Sequence, residues 1–352
     1  MPWQYAAPQR IAIVITTAML HPKQALFDTD EQTTALPVVD HYCGVEVRMD
    51  KSLALQAEMG PVFDITLDLE DGAPVGAEAE QRQLVIDKAL SPANRWGRVG
   101  ARVHPFDHPA FEADVDALVS QAGEALAYLM LPKPRSFADL NAACAFVDAS
   151  LQRHGIRKAL PLHALIETHG ALRDVQAIAA HPRIESISFG LMDFVSAHQG
   201  AIPRSGLSAE GQFDHPLIAR AKLEISAAAH GHGKTPSHCV VTEFKDSDAL
   251  QTAATRAARE FGYTRMWSIH PTQIQVILDA FAPSTAEVDE AIEIIYAAQA
   301  AQWAPIQHRN NLHDRASYRF FWHVLERAHR TGQLLPAEVR QAFFAPKNSA
   351  AA

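Results

Sequence analysis

Between residues 36 and 270 the chain repeats one pattern: a short apolar run, then a longer stretch with apolar positions at helical spacing. The runs are "LPVVDHYCG" (36–44), "FDITLDL" (63–69), "RVGARV" (98–103), "AYLMLP" (127–132), "LPLHALIE" (160–167), "IESISFG" (184–190), "SHCVVTEF" (237–244) and "TRMWSIH" (264–270). Helical patterns over 47–59, 78–90, 109–122, 137–152, 170–180, 215–231 and 246–260 separate them, and Ser136 offers an N-cap to one. Strands read as apolar throughout, alternating with helices of ten or more residues, imply parallel βαβ units. Eight such units predict an α/β fold, a (β/α)8 TIM barrel. An open doubly wound sheet is the structural rival, and no Gly-rich dinucleotide fingerprint follows the first strand to support it.

Beyond the eighth run the pattern stays helical. Pro283 breaks it into two helices, the second capped at Ser284 with Glu287 three residues on. From about 306 the composition turns polar, then aromatic and helical through "SYRFFWHVL". The chain therefore divides into an N-terminal extension (1–34), a barrel (35–282) and a C-terminal helical segment (283–352) whose last residues, "KNSAAA", are expected to fray.

Composition narrows the function classes. With 352 residues, 48% of them hydrophobic and 20% charged, the chain can bury a large core. A net charge of −9 without a dense Lys/Arg run excludes a dedicated nucleic-acid binder, while leaving room for a local cationic pocket. The three cysteines, Cys43, Cys144 and Cys239, are odd in number and lack CxxC spacing, so buried free thiols are expected. No stretch reaches the roughly 18 apolar residues of a membrane span, and no basic n-region leads a long apolar run. The expectation is a soluble cytoplasmic protein.

Catalytic groups of a TIM barrel sit at the C-terminal ends of its strands. Those ends carry Glu70 and Asp71 (second strand), Arg102 (third), Lys133 in "PKP" (fourth), Glu167 (fifth) and Asp193 (sixth). Three acids crowd the end of "FDITLDLEDG", and like charges this close call for a cation. Glu167 and Asp193, on adjacent strands, are oxygen donors suited to Mg²⁺, or alternatively helix caps. Glu70 and Asp71 read as organisers of that site or as members of an ion pair, with Asp64 and Asp68 pairing with neighbouring helices. Arg102 reads as a clamp for a carboxylate or as the salt-bridge partner of Glu70 or Asp71. Lys133 pairs with the acids or serves as a Schiff-base amine. Of 18 histidines, His104, His163 and His270 lie near strand ends, outside any zinc-type spacing.

Taken together, the segments "VEVRMDKSLAL", "DITLDLEDG", "GARVHPFDHPAFEADVDAL", "LMLPKPRS", "ALIETHGALRDVQAIA", "SISFGLMDF" and "SIHPTQIQVILDAFAPSTAEVDEA" resemble the HpcH/HpaI aldolase and citrate lyase β-subunit family, especially its acyl-CoA lyase branch. The resemblance spans roughly residues 36–298. It implies a TIM barrel assembled as a trimer or a multiple of one. It also implies Mg²⁺ on Glu167 and Asp193, Arg102 at the substrate and its thioester carbonyl, Glu70 and Asp71 as the acidic pair beside the metal, and Arg48 and Lys51 near the CoA phosphates. "NNLHDRAS" resembles the segment that caps a neighbouring subunit's site, which nominates Asp314 as the aspartate it supplies. The chain departs from the family in "HYCG", where Pro-Gly is usual, in Arg265–Met266, where Gly-Lys is usual, and in His104, where Asn is usual.

The implied activity is cleavage or formation of a β-hydroxyacyl-CoA such as malyl-, citramalyl- or citryl-CoA, giving a 2-oxo acid and an acyl-CoA. In it Arg102 would stabilise the enolate and Asp314 would move its proton. Two alternatives stand beside it: a CoA-independent metal-dependent 2-oxo acid aldolase, and a non-catalytic subunit that binds an acyl-CoA or organic acid.

Overall fold

The computed structural model describes residues 20–28 and 35–345, so most of the N-terminal extension and the "KNSAAA" tail lie outside the described residues. These residues divide into two compact units, a larger one of 35–283 with 327–334 and a smaller one of 20–28, 284–326 and 335–345.

The larger unit is a closed barrel of eight parallel strands in sequence order. They are β1 (Val39–Cys43), β2 (Phe63–Asp68), β3 (Val99–Arg102), β4 (Leu129–Leu131), β5 (Leu162–Ile166), β6 (Ile184–Phe189), β7 (Thr235–His238) and β8 (Arg265–Ser268). Pairing of Val39 with Met266 and of His41 with Ser268 closes the ring. The open-sheet rival is thereby excluded. The connecting helices each follow their strand: α2 (Glu46–Met59), α3 (Glu78–Leu90), α4 (Phe111–Ala122), α5 (Phe137–Arg153), α6 (His169–Arg173), α7 (Val175–Ala180), α8 (Leu191–Ser196), α9 (Gly211–Asp214), α10 (Pro216–Gly231), α11 (Ser247–Arg259) and α12 (Pro271–Phe281). Ser136 caps α5, its Oγ accepting from Asp139 N at 3.2 Å.

The strands are not apolar throughout, contrary to the expectation from their composition. Their outward residues, such as Ile65, Leu67, Ala101, Ile187 and Phe189, join the helices in one large core. Their inward residues are largely polar, whereas barrel interiors are usually filled by branched aliphatics. At the centre lies Arg265, without exposed area, donating to Asp64 Oδ2 (2.5 Å) and Pro37 O (3.0 Å) and pairing with Asp40 Oδ2 (3.1 Å). Thr66 (2.6 Å) and Tyr128 (3.0 Å) donate to the other Asp40 oxygen. Arg98 supplies Asp64 with a second cation, Nε to Oδ1 at 2.6 Å. The cation at the family's usual Gly-Lys position is thus an interior strut. Asp64 accordingly pairs with two arginines, one on β8 and one at the entry to β3, and not with a neighbouring helix. Gly100 makes room for Tyr128: a Cβ there would fall 2.4 Å from the ring.

Two boundaries differ from expectation. β7 begins and ends early, at Thr235 and His238, because its partners stop: β6 pairs it only through Ser188 and β8 only from Arg265 to Met266. Cys239 and Val241 are then buried loop residues in the core. The helix expected over 170–180 splits at Asp174, whose Oδ2 leaves the helix to accept from Phe137 N at 2.9 Å.

The smaller unit holds α1 (Pro22–Leu26), α13 (Thr285–Ala300), a hairpin of β9 (Ile306–His308) and β10 (Asn311–His313), and most of α14 (Arg315–Arg330). Ser284 and Glu287 form the expected capping box. The aromatic stretch supplies its core: Trp322 meets the rings of His21 (5.3 Å) and Phe343 (5.7 Å), and Tyr318 donates to Ala304 O at 2.7 Å. All three cysteines are buried and free. Among the described residues no helix is long and apolar enough to cross a membrane.

Removing one partner of a buried ion pair strands the other's charge, at a cost of about 3–5 kcal/mol. Arg265→Met, which strands Asp40, should therefore lower unfolding stability by about that amount, whereas exposed Arg220→Ala should change it by less than about 1 kcal/mol. Urea denaturation of both variants checks this contrast.

Candidate functional site

Asp68 is the last residue of β2, and the register sets it directly beside Arg102, the last residue of β3. Arg102 donates to it twice, Nε to Oδ1 (2.8 Å) and Nη2 to Oδ2 (2.5 Å). The same carboxylate accepts Glu70 N (3.0 Å) and Gly72 N (2.8 Å), so it also shapes the turn that leaves the strand. That turn brings Glu70 Oε2 to 3.0 Å from Arg102 Nη1. Burial alone would lower the Arg102 pKa; the charges of Asp68 and Glu70 outweigh it and hold the guanidinium firmly protonated. Two of its five N–H groups donate to Asp68, and Nη1 also faces Glu70 as an ion pair.

Asp68 is the residue that sequence reasoning misplaced. It pairs across the barrel rim with Arg102, not with a helix. The signal was available in the period-2 alternation, which turns Asp68 to the same face as Asp64 and Thr66.

Lys133 joins the other acids. Its Nζ donates to Glu70 Oε1 (2.5 Å) and Asp71 Oδ2 (2.8 Å) and stands 3.5 Å from Asp193 Oδ1. Held between Pro132 and Pro134, it adopts a left-handed backbone with φ 51°. For a non-glycine residue this conformation carries strain, which clusters at functional sites. The strained peptide aims Lys133 N–H at Glu167 Oε1, 2.9 Å away. Burial would lower the lysine pKa, but hydrogen bonds to Asp71 and Glu70 raise it above its ordinary value. A lysine held charged in this way is not a Schiff-base nucleophile. Burial lifts the Glu70 carboxyl above its usual range against the pull of Arg102, whereas Lys133 overcomes the burial of Asp71 and lowers it.

Glu167 follows β5 and is 2% exposed. Thr168 caps the next helix, its Oγ1 accepting from Ala171 N at 3.0 Å, so Glu167 is not used as a cap. Burial first, and the neighbouring charge of Asp193 second, push its carboxyl well above the usual range. Asp193 sits in the first turn of α8, which has no side-chain cap. Gly190, just before that helix, faces Glu167. Five carboxylates (Asp68, Glu70, Asp71, Glu167 and Asp193) thus share two cations, Arg102 and Lys133. The donor set suits a further hard cation, which would relieve the repulsion between Glu167 and Asp193. Among the described residues no group of three or more His, Cys, Asp or Glu forms a ready-made metal cage. That agrees with Glu70 and Asp71 being engaged by basic side chains.

The remaining candidates make none of these contacts. Arg48 and Lys51 are exposed on α2. Asp314 belongs to the smaller unit, where its Oδ1 accepts from Ala316 N at 3.0 Å ahead of α14. His104 is bound to Asp114 (2.6 Å), His163 stacks on Tyr128 (3.9 Å), and His270 caps α12.

With this geometry in hand, residues 51–271 match the family model described as HpcH/HpaI aldolase/citrate lyase. The chain belongs to this family. By that membership it is a carbon–carbon lyase. Among its relatives is the L-malyl-CoA/beta-methylmalyl-CoA lyase of Cereibacter sphaeroides, 31% identical over 68% of this chain and 77% of that protein. A citrate lyase from Burkholderia xenovorans has a crystal structure with 52% identity and a TM-score of 0.80, matched over 92% of this chain and all of that one. Protein CitE of Mycobacterium tuberculosis, solved with magnesium, acetoacetate and coenzyme A, shares the fold at 23% identity and a TM-score of 0.64, over 84% of this chain and 99% of that one.

A methyl added at Gly190 would fall 2.3 Å from Glu167 Oε2 and 2.6 Å from its Cβ. Gly190→Ala should displace the Glu167 side chain and cost about 1–3 kcal/mol of stability by overpacking. Thermal denaturation together with a structure of the variant tests this.

Proposed function

We propose that the chain is a Mg²⁺-dependent lyase that cleaves or forms a β-hydroxyacyl-CoA, releasing a 2-oxo acid and an acyl-CoA. The observation that carries the reading is the convergence of Glu167 and Asp193 with the doubly anchored Arg102 at one end of the barrel. Glu167 and Asp193 would hold the ion, which when bound supplies a Lewis acid for the hydroxyl and carboxylate of the substrate. Lys133, Glu70 and Asp71 orient the donors around it. In cleavage the hydroxyl gives its proton to a water, its oxygen becomes the oxo group of the released acid, and the electron pair of the broken carbon–carbon bond passes into an enolate on the thioester. The N–H groups of Arg102 that Asp68 leaves free stabilise that enolate oxygen, the guanidinium being held in place by Asp68 and Glu70. Arg48 and Lys51, exposed on α2, bind CoA phosphates. The protein works as a homotrimer or a multiple of one, the C-terminal segment of each copy capping a neighbour's site and supplying Asp314 to protonate the enolate. The family match and the malyl-CoA lyase relative support this assignment.

The test is a Mg²⁺-dependent cleavage screen over malyl-, citramalyl- and citryl-CoA with trapping of the 2-oxo acid. Arg102→Lys should lower kcat by about 10²–10³. Glu167→Ala and Asp193→Ala should abolish Mg²⁺-dependent turnover, and full activity in both would sink the reading.

A pH dependence follows from the raised Glu167 carboxyl, which is protonated below its folded pKa and must lose that proton to bind a cation. Mg²⁺ affinity should therefore strengthen with rising pH, by up to about tenfold per unit, and level off once Glu167 ionises unaided. Calorimetry in buffers of different ionisation enthalpy should register the released proton, and an affinity independent of pH would refute the linkage.

A further inference from the structure

The C-terminal end of the barrel is electrostatically lopsided. β2 to β6 lead into every member of the charged network around Arg102 and Lys133, while Arg48 and Lys51 stand further along, on α2 after β1. β7, β8 and β1 are followed instead by Cys239–Thr242, Ile269 and Gly44–Val45. The first charges beyond β7 and β1 are engaged elsewhere, Glu243 with Ala209 N (3.0 Å) and Glu46 with Lys88 (3.2 Å). His270 is turned onto Thr272 (2.8 Å) and the ring of Phe244 (5.1 Å).

In this half β1 and β8 carry Tyr42 and Trp267, with Val240 and Ile269 packed on them and partly exposed just past their strands, and the cluster, separate from the main core, continues inward to the fully buried Met130 of β4 and Leu165 of β5. The Tyr42 and Trp267 rings stack at 4.1 Å. Each residue is 7% exposed, yet neither Tyr42 Oη nor Trp267 Nε1 is accessible, so the exposed area is not that of their polar atoms. An inward residue at the C-terminal end of a barrel strand can be reached only through the mouth. Arg102, with Cζ 5.5 Å from the Tyr42 ring centre, marks the border of this half, and its charge is already opposed by Asp68 and Glu70.

We infer that this apolar half receives an uncharged alkyl substituent on the 2-oxo acid part of the substrate and discriminates against a second carboxylate there. The inference rests on the proposed reaction and names its substrate class. Each methylene moved from water onto such a surface strengthens binding roughly fourfold. A carboxylate brought against it loses hydration and gains no counter-charge.

The matched pair 2-oxobutanoate and oxaloacetate differs only in a terminal methyl against a carboxylate. Calorimetric titration of the full-length protein with Mg²⁺ present should give an affinity at least tenfold higher for 2-oxobutanoate, and a rise of roughly fourfold per methylene from glyoxylate through pyruvate to 2-oxobutanoate. Ile269→Lys, at a partly exposed position, should shift the preference toward oxaloacetate by tenfold or more, and Trp267→Ala should flatten the methylene series. Wild-type protein that binds oxaloacetate as tightly as 2-oxobutanoate, or binds neither, overturns the inference. The thioester screen reads out separately. A protein that prefers 2-oxobutanoate but cleaves no thioester keeps this inference and loses the acyl-CoA reading, while one that cleaves thioesters but prefers oxaloacetate does the reverse.

Discussion

Everything at the rim depends on the ion pair between Asp68 and Arg102. A guanidinium that is 7% exposed needs a partner in fixed geometry, and a carboxylate ending the neighbouring strand in register supplies it with two parallel hydrogen bonds. The pair does three things at once. It neutralises Arg102, fixes the plane of its remaining N–H groups, and, through Glu70 N and Gly72 N, sets the turn that delivers Glu70 and Asp71 to Lys133. Lys133 in turn reaches Asp193 with its side chain and Glu167 with its backbone. Glu167, just past β5, is met by that peptide dipole and not by the lysine charge, and beside Asp193 it is where a hard cation has the most to relieve.

The barrel has two interiors that obey different rules. Between strands and helices the packing is apolar and follows from burying surface. Inside the strands it is polar, and follows from setting buried charges of opposite sign against one another, as Arg265 is set against Asp40 and Asp64. The first rule was legible in the sequence, because outward residues give each strand its apolar character and helix spacing follows. The barrel and its strand order came from that rule, and the caps at Ser136 and Ser284 from the residue types at the helix starts.

The second rule was only partly legible. Strand ends converge on one mouth, so the association of Glu70 and Asp71 with Lys133, and of Arg102 with an acid, could be read from position alone. Which acid takes Arg102 depends on register between strands, and one chain's periodicity gives the face of Asp68 without naming what stands beside it. The partners of Arg265 lie on β1 and β2, more than 200 residues away, beyond the reach of any local pattern. The end of β7 was misjudged for a related reason. Cys239 and Val241 are as apolar as strand residues, but no neighbouring strand is left for them to pair with.

Lys133 has a consequence of its own. One residue contributes a full charge to Glu70 and Asp71 through its side chain and a neutral dipole to Glu167 through its peptide. The two contributions have different origins: the first is the identity of residue 133, the second its left-handed backbone. Exchanging the side chain therefore silences only half of what the position does. The other half resides in the backbone conformation of residue 133, which a search for reactive side chains would pass over.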